Sequence, residues 1–153
     1  MCSGFRVFVF SWLIICALPG RSPAQTQPIW FGVWTLNLAK STSSSPLPFK
    51  RATRRIEPTG DSVTIIDDQV RRRGGITHLE WTGKFDAADY SVQGVELLLT
   101  HAYRRLDERT LVLTQKIDNV VVSTARFTLS PDVNSITMVT SGATSTTTVY
   151  DKR

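Results

Sequence analysis

Apolar and polar residues alternate one by one along much of this chain, and turn-forming residues interrupt the alternation at roughly 8–12-residue intervals. That period constrains the fold more than any other feature. A chain patterned this way buries its apolar side as sheet, with one face inward, and not as helix. The clearest case is Trp30-Phe31-Gly32-Val33-Trp34-Thr35-Leu36-Asn37-Leu38, where Trp34, Leu36 and Leu38 alternate with Thr35 and Asn37. Gly32 permits a kink or a close backbone approach where this strand begins.

The segments behind it read as partners. Residues 51–57 form a short polar strand. Residues 62–70 carry Val63 and Ile65 on one face, Ile66 and Val70 on the other. Residues 76–85 place Leu79, Trp81 and Phe85 together. Strands are also expected over 95–106, 111–117, 121–129, 136–141 and 145–150. Pro58-Thr59-Gly60-Asp61, Gly74-Gly75, Asp118-Asn119 and residues 130–135 are turn signals. Residues 39–49, rich in serine with two prolines, read as a long loop that either covers a binding mouth or simply connects. Residues 90–94 read as an irregular link. No segment has a helical pattern.

The expected fold is all-β: an antiparallel up-and-down meander of about eight or nine strands closed as a barrel, with a β-sandwich as the alternative. A barrel leaves no open edge, and eight strands enclose just enough room for a small ligand.

A register prediction follows from the long hairpin. A three-residue loop, Asp107-Glu108-Arg109, sets Tyr103 opposite Leu113, His101 opposite Gln115 and Leu99 opposite Ile117. Both apolar rows then share a side, which a one-residue slip would undo.

Residues 1–24 have the layout of a secretory signal peptide, leaving residues 25–153 as one domain. Arg6 precedes an uncharged apolar run over residues 7–18, and Ser22-Pro23-Ala24 supplies the small residues of a cleavage site. The run has 12 residues, short of the roughly 20 that span a bilayer. No later segment is long and apolar enough to span. Export to the periplasm or beyond the cell is expected. Cys2 and Cys16 both lie in the leader, so the mature domain would hold no disulfide and no thiolate metal site. Its stability must come from a core, which a domain of this size can build.

The net charge is +5. Losing Arg6 and Arg21 with the leader leaves sixteen basic and thirteen acidic side chains, a net of +3. The basic residues cluster: Lys50, Arg51, Arg54 and Arg55 in one group, Arg71, Arg72 and Arg73 in another. The second group is a candidate contact for an anionic envelope component. Nucleic acid is not expected, because no stacking aromatics interleave with the arginines. The alternative is that these are solvated turn and edge charges.

Gly32-Val33-Trp34, opening the first strand of a meander, resembles the Gly-Xaa-Trp signature of lipocalins. The wider chain resembles small exported bacterial lipocalin-like proteins, through residues 32–41, Thr77-His78-Leu79-Glu80-Trp81-Thr82-Gly83-Lys84-Phe85-Asp86, Val122-Ser123-Thr124-Ala125-Arg126 and Val149-Tyr150-Asp151-Lys152-Arg153. The resemblance implies that Trp34, with Gly32, plugs the closed end of the barrel, under a cation from Lys152 or Arg153. The chain is shorter than a lipocalin and lacks its long C-terminal helix pattern. A barrel filled by its own side chains therefore stands beside a hollow one.

Enzyme motifs are absent. His78 and His101 are the only histidines and lie 23 residues apart, which supports no metal site. There is no nucleophile elbow and no phosphate-cradling glycine loop. The acids, Asp67-Asp68, Asp107-Glu108 and Asp86 with Asp89 among them, read as solvated turn residues. His78 reads as an exposed residue beside Glu80 and ranks second as a site candidate. The one internal polar group is His101, Tyr103 and Gln115, on the face that carries Leu99 and Leu113. These five and Trp81 are the candidate ligand-binding residues. Either the polar three satisfy one another, or they orient a ligand in an apolar pocket.

The expectation is an exported, non-catalytic, lipocalin-like binding protein for a small, largely apolar ligand, with no cofactor and no metal. The alternative is a solid barrel that meets an anionic surface or a protein partner through its basic loops.

Overall fold

The structure, a computed structural model, describes residues 28–153. The expected leader lies outside the described residues. After a single turn of 3-10 helix at Pro28–Trp30 come ten strands: β1 (Gly32–Ser43), β2 (Phe49–Thr59), β3 (Ser62–Arg71), β4 (Ile76–Gly83), β5 (Tyr90–Gln93), β6 (Leu99–Asp107), β7 (Thr110–Ile117), β8 (Val120–Leu129), β9 (Ser135–Ser141) and β10 (Thr146–Lys152). Each pairs antiparallel with its chain neighbours, and β1 also pairs with β10, so the sheet closes into an up-and-down barrel.

The extra strand beyond the expected eight or nine is β5, in the stretch that reads as a link. It pairs through only two residues on each side: Gln93 and Val92 with Glu80 and Trp81, Tyr90 and Ser91 with His101 and Thr100. Four residues are too few for an alternation to stand out in sequence.

β1 is also longer than expected, running to Ser43 and reducing the serine-rich loop to residues 44–48. Its pairing with β10 shifts between Asn37 and Thr42. Ser41 spans the irregularity: its Oγ accepts from the Val149 amide (3.0 Å) and donates to the Asn37 carbonyl (2.7 Å). A hydroxyl thus replaces the missing ladder partner, which is why a serine run can stay in the sheet.

β6 starts at Leu99, four residues later than expected. Gly94 has φ +92, and a Cβ there would fall 2.0 Å from the His78 carbonyl oxygen. The chain bends over residues 94–97, and Leu97 stands 58% exposed.

The β6–β7 register is the predicted one: Tyr103 faces Leu113, His101 faces Gln115, Leu99 faces Ile117. The turn reaches it differently. Asp107 pairs with Thr110, and the irregularity between Arg105 and Asp107 leaves Leu106 as an extra residue. Asp118 and Asn119, with φ of 49° and 65°, close the β7–β8 hairpin as the sequence predicts.

The interior changes along the barrel axis. At the end where β1 begins, the inward side chains are buried, among them Trp30, Trp34, Val63, Ile65, Leu111, Leu129 and Ile136. Next come Trp81, Tyr103 and Phe127, with ring centroids 4.6 Å (Trp81–Tyr103) and 5.9 Å (Tyr103–Phe127) apart. Toward the other end the inward positions Gln69, Thr77, Leu79, Leu99, Ile117, Met138 and Thr140 are only half-buried. Ten strands enclose a wider lumen than eight. The aromatic side chains fill its lower half, and the inward positions of the upper half are more open to solvent.

Candidate functional site

The floor of the barrel is built around Trp34. Its indole Nε1 donates to the Trp30 carbonyl (3.1 Å), and Trp30 Nε1 donates to the Glu108 carbonyl (3.0 Å). Lys152 Nζ stands 5.0 Å from the centre of the Trp34 ring. Gly32 makes room for that lysine. Its φ of +135 suits only glycine, and a Cβ would meet Lys152 Cε at 3.1 Å.

Above the floor lies a polar layer. Arg54 on β2 faces Asp67 on β3 across the register Arg54–Asp67. The guanidinium donates through Nε to Oδ1 (2.7 Å) and through Nη2 to Oδ2 (2.8 Å). It reaches across the lumen to lie 4.7 Å from the Phe127 ring and 5.8 Å from that of Tyr150. Two parallel charge-assisted bonds hold this arginine in its protonated form despite burial, with its pKa raised.

Beside the ion pair a hydrogen-bonded chain crosses three strands. Ser123 Oγ on β8 donates to Gln115 Oε1 on β7. Gln115 Nε2 stands 2.8 Å from His101 Nε2 on β6. The His101 carbonyl accepts from Trp81 Nε1 (3.1 Å). Burial, with Arg54 nearby, lowers the His101 pKa to about 4, so the ring is neutral at neutral pH. Burial likewise raises the Tyr103 pKa and keeps its phenol protonated. His101 Nδ1 and Tyr103 Oη are buried without a protein partner.

Of the six predicted ligand-binding residues, His101 and Gln115 are brought into direct contact. Tyr103 sits one inward step deeper on β6, its ring 6.0 Å from the imidazole. Leu113 and Trp81 belong to the packed half, and Leu99 lines the half-exposed upper wall. His78 points outward. Its Nδ1 is 2.6 Å from Asp68 Oδ1, not paired with Glu80, because Asp68 lies directly across the β3–β4 ladder.

Sequence reasoning missed Arg54, Asp67 and Ser123. The acids Asp67 and Asp68, read as turn residues, lie within β3, and Asp67 is only 8% exposed. Parity carried the signal. Asp67 alternates with Val63 and Ile65, and Arg54 with Ala52 and Ile56, so both share an apolar, inward row.

The basic turn Arg71-Arg72-Arg73 lies at the mouth. Arg71 Nε donates to Thr77 Oγ1 (3.0 Å), and Arg72 Nε donates to the Leu47 carbonyl (2.9 Å). Arg73 is exposed. With Pro46, Leu47 and Pro48, this turn borders a cavity of about 520 Å³. The wall is also incomplete between β1 and β2, which pair only over Gly32–Thr35 and Thr53–Ile56. Beyond that point, grooves of about 390 and 200 Å³ follow the seam, and the inward residues Leu36 and Ala52 reach them. Among the described residues no group of three His, Cys, Asp or Glu side chains could hold a metal ion.

No family model matches the chain, and no curated protein does. Among solved structures, a REP1-NXSQ fatty acid transporter is similar, with a TM-score of 0.53 and 14% identity over 80% of this chain and 95% of that one. The likeness is one of fold. It places this chain beside another protein built on the same barrel plan, and the residues of the interior are this chain's own.

Proposed function

We propose that this chain is an exported, non-catalytic, lipocalin-like binding protein that holds a small, largely apolar ligand in the upper half of its barrel. The observation that carries the reading is the change of the interior along the axis. A packed aromatic floor gives way to half-buried inward positions, Leu79, Leu99, Ile117 and Met138 among them, which we read as the walls of a cup, with buried polar groups where the two meet. Apolar walls with a few placed polar groups are how small-molecule sites are usually built. The signal-peptide layout and Gly32-Val33-Trp34 agree with export and lipocalin-like kinship. The similar barrel is described as a fatty acid transporter, which agrees with an apolar ligand.

The polar groups suit holding rather than reacting. Arg54 and Asp67 occupy one another, and His101 is oriented by Gln115. Titration with a fluorescent apolar probe tests the reading. Saturable binding that is lost in Leu99→Trp and Met138→Trp, both folded, is the expected result. Binding unchanged in both variants overturns the cup as the site.

A further inference from the structure

We infer that the ligand's head group is uncharged and carries a hydrogen-bond acceptor, such as the carbonyl of an ester, ketone or amide, and that a free carboxylate is disfavoured. This rests on the binding reading above and specifies the class of ligand.

The first ground is the sense of the hydrogen-bonded chain. Ser123 donates to the Gln115 amide oxygen, so the Gln115 NH2 is the group that faces His101. An amide NH2 can only donate, so His101 Nε2 is the bare acceptor nitrogen. A neutral imidazole then carries its proton on Nδ1. A cationic ring would set an N–H against the Gln115 NH2, so this arrangement requires the neutral form. The proton on Nδ1 is buried, on a residue 4% exposed, and has no protein acceptor. Tyr103 Oη, on a residue 1% exposed, likewise has no protein partner. Both are on the inward row of β6, Tyr103 in the packed aromatic layer and His101 one step above it. Two buried donors of this kind call for an acceptor.

The second ground is charge. Among the described residues the buried ionised side chains are Arg54 and Asp67, and they neutralise each other through two short hydrogen bonds. The guanidinium also lies over the Phe127 and Tyr150 rings. A ligand carboxylate would lose its hydration beside a pair with no net charge, with Asp67 repelling what Arg54 attracts. An ester or ketone carbonyl that accepts from these donors carries no charge to desolvate.

Competition against the apolar probe, at neutral pH, with methyl dodecanoate, dodecanoate and dodecane tests the inference. The ester is expected to bind about tenfold or more tightly than the acid and about fivefold more tightly than the alkane. Tyr103→Phe should narrow the ester–alkane gap. Asp67→Asn, which leaves Arg54 with net charge, should raise the acid relative to the ester. If Asp67→Asn does not fold, the wild-type ratios and Tyr103→Phe decide. Dodecanoate binding to the wild type as tightly as the ester overturns the inference while the cup stands. So does an ester–alkane gap that Tyr103→Phe leaves unchanged. If none of the three binds, the binding reading itself falls and takes this inference with it.

Discussion

The two halves of the barrel use the same strands and the same alternation, yet they are built for different ends. In the lower half the inward rows are Trp34, Ile65, Trp81, Leu111, Phe127 and Ile136, all buried. In the upper half they are Gln69, Thr77, Leu99, Gln115, Ser123 and Thr140, all half-buried. Aromatic side chains bury about 150–250 Å² each, and a few of them fill the lower half of a ten-stranded barrel. Threonine, serine and leucine cannot fill the same width above. The layer of Arg54, Asp67 and His101 marks the change. The lower end holds the buried core and the upper end the half-buried inward positions, with one set of buried polar groups between them.

Trp34→Ala should test the division most strongly. Removing the floor's central ring is expected to lower unfolding stability by about 3–5 kcal/mol, read by denaturant titration. A loss below ~1 kcal/mol would show that the floor is not where the stability resides. Asp67→Ala should come next, at roughly 3 kcal/mol or more, because it strands the Arg54 charge in the interior. The paired change Arg54→Met with Asp67→Leu should recover most of that loss, since it removes both charges together. If the single and double variants are equally unstable, the ion pair is not what Asp67 contributes.

A smaller effect should appear with pH. The His101 pKa falls from 6.5 in the unfolded chain to about 4 in the folded one. The folded state therefore excludes a proton that the unfolded state binds. Stability attached to this group is full above pH 6.5 and is lost as pH falls toward 4. The loss should be on the order of 2–3 kcal/mol, seen as a steeper acid destabilisation of the wild type than of His101→Phe. Parallel pH profiles would mean that His101 is not buried neutral.

The smallest effect is expected from Leu99→Ala in the upper wall, at about 1 kcal/mol or less, because that side chain is only partly buried. The same variant should weaken the apolar probe measurably. A stability loss as large as that of Trp34→Ala would erase the distinction between the halves.

The parts of this architecture that were legible in sequence are those set by neighbouring residues. Alternation along residues 62–70 and 76–85 announced the strands, Asp118-Asn119 announced a turn, and face-matching across residues 99–117 placed His101 opposite Gln115. Where a distant group intervened, the reading failed. β5 exists because β4 and β6 flank it, and β1 continues past Asn37 because the Ser41 hydroxyl meets the Val149 amide. Position 94 is glycine because the His78 carbonyl leaves no room for a Cβ.

By itself, then, the sequence determined that the chain forms an antiparallel meander with Gly32-Val33-Trp34 at its head, because period-two burial is a local property. Only the tertiary structure decided that Arg54 and Asp67 meet in the lumen. Only it decided how much of that lumen the side chains fill, or which polar atoms are left facing it. Those depend on the number of strands that close the barrel and on groups far apart in the chain. Alternation says which face a residue takes, but not what stands opposite it.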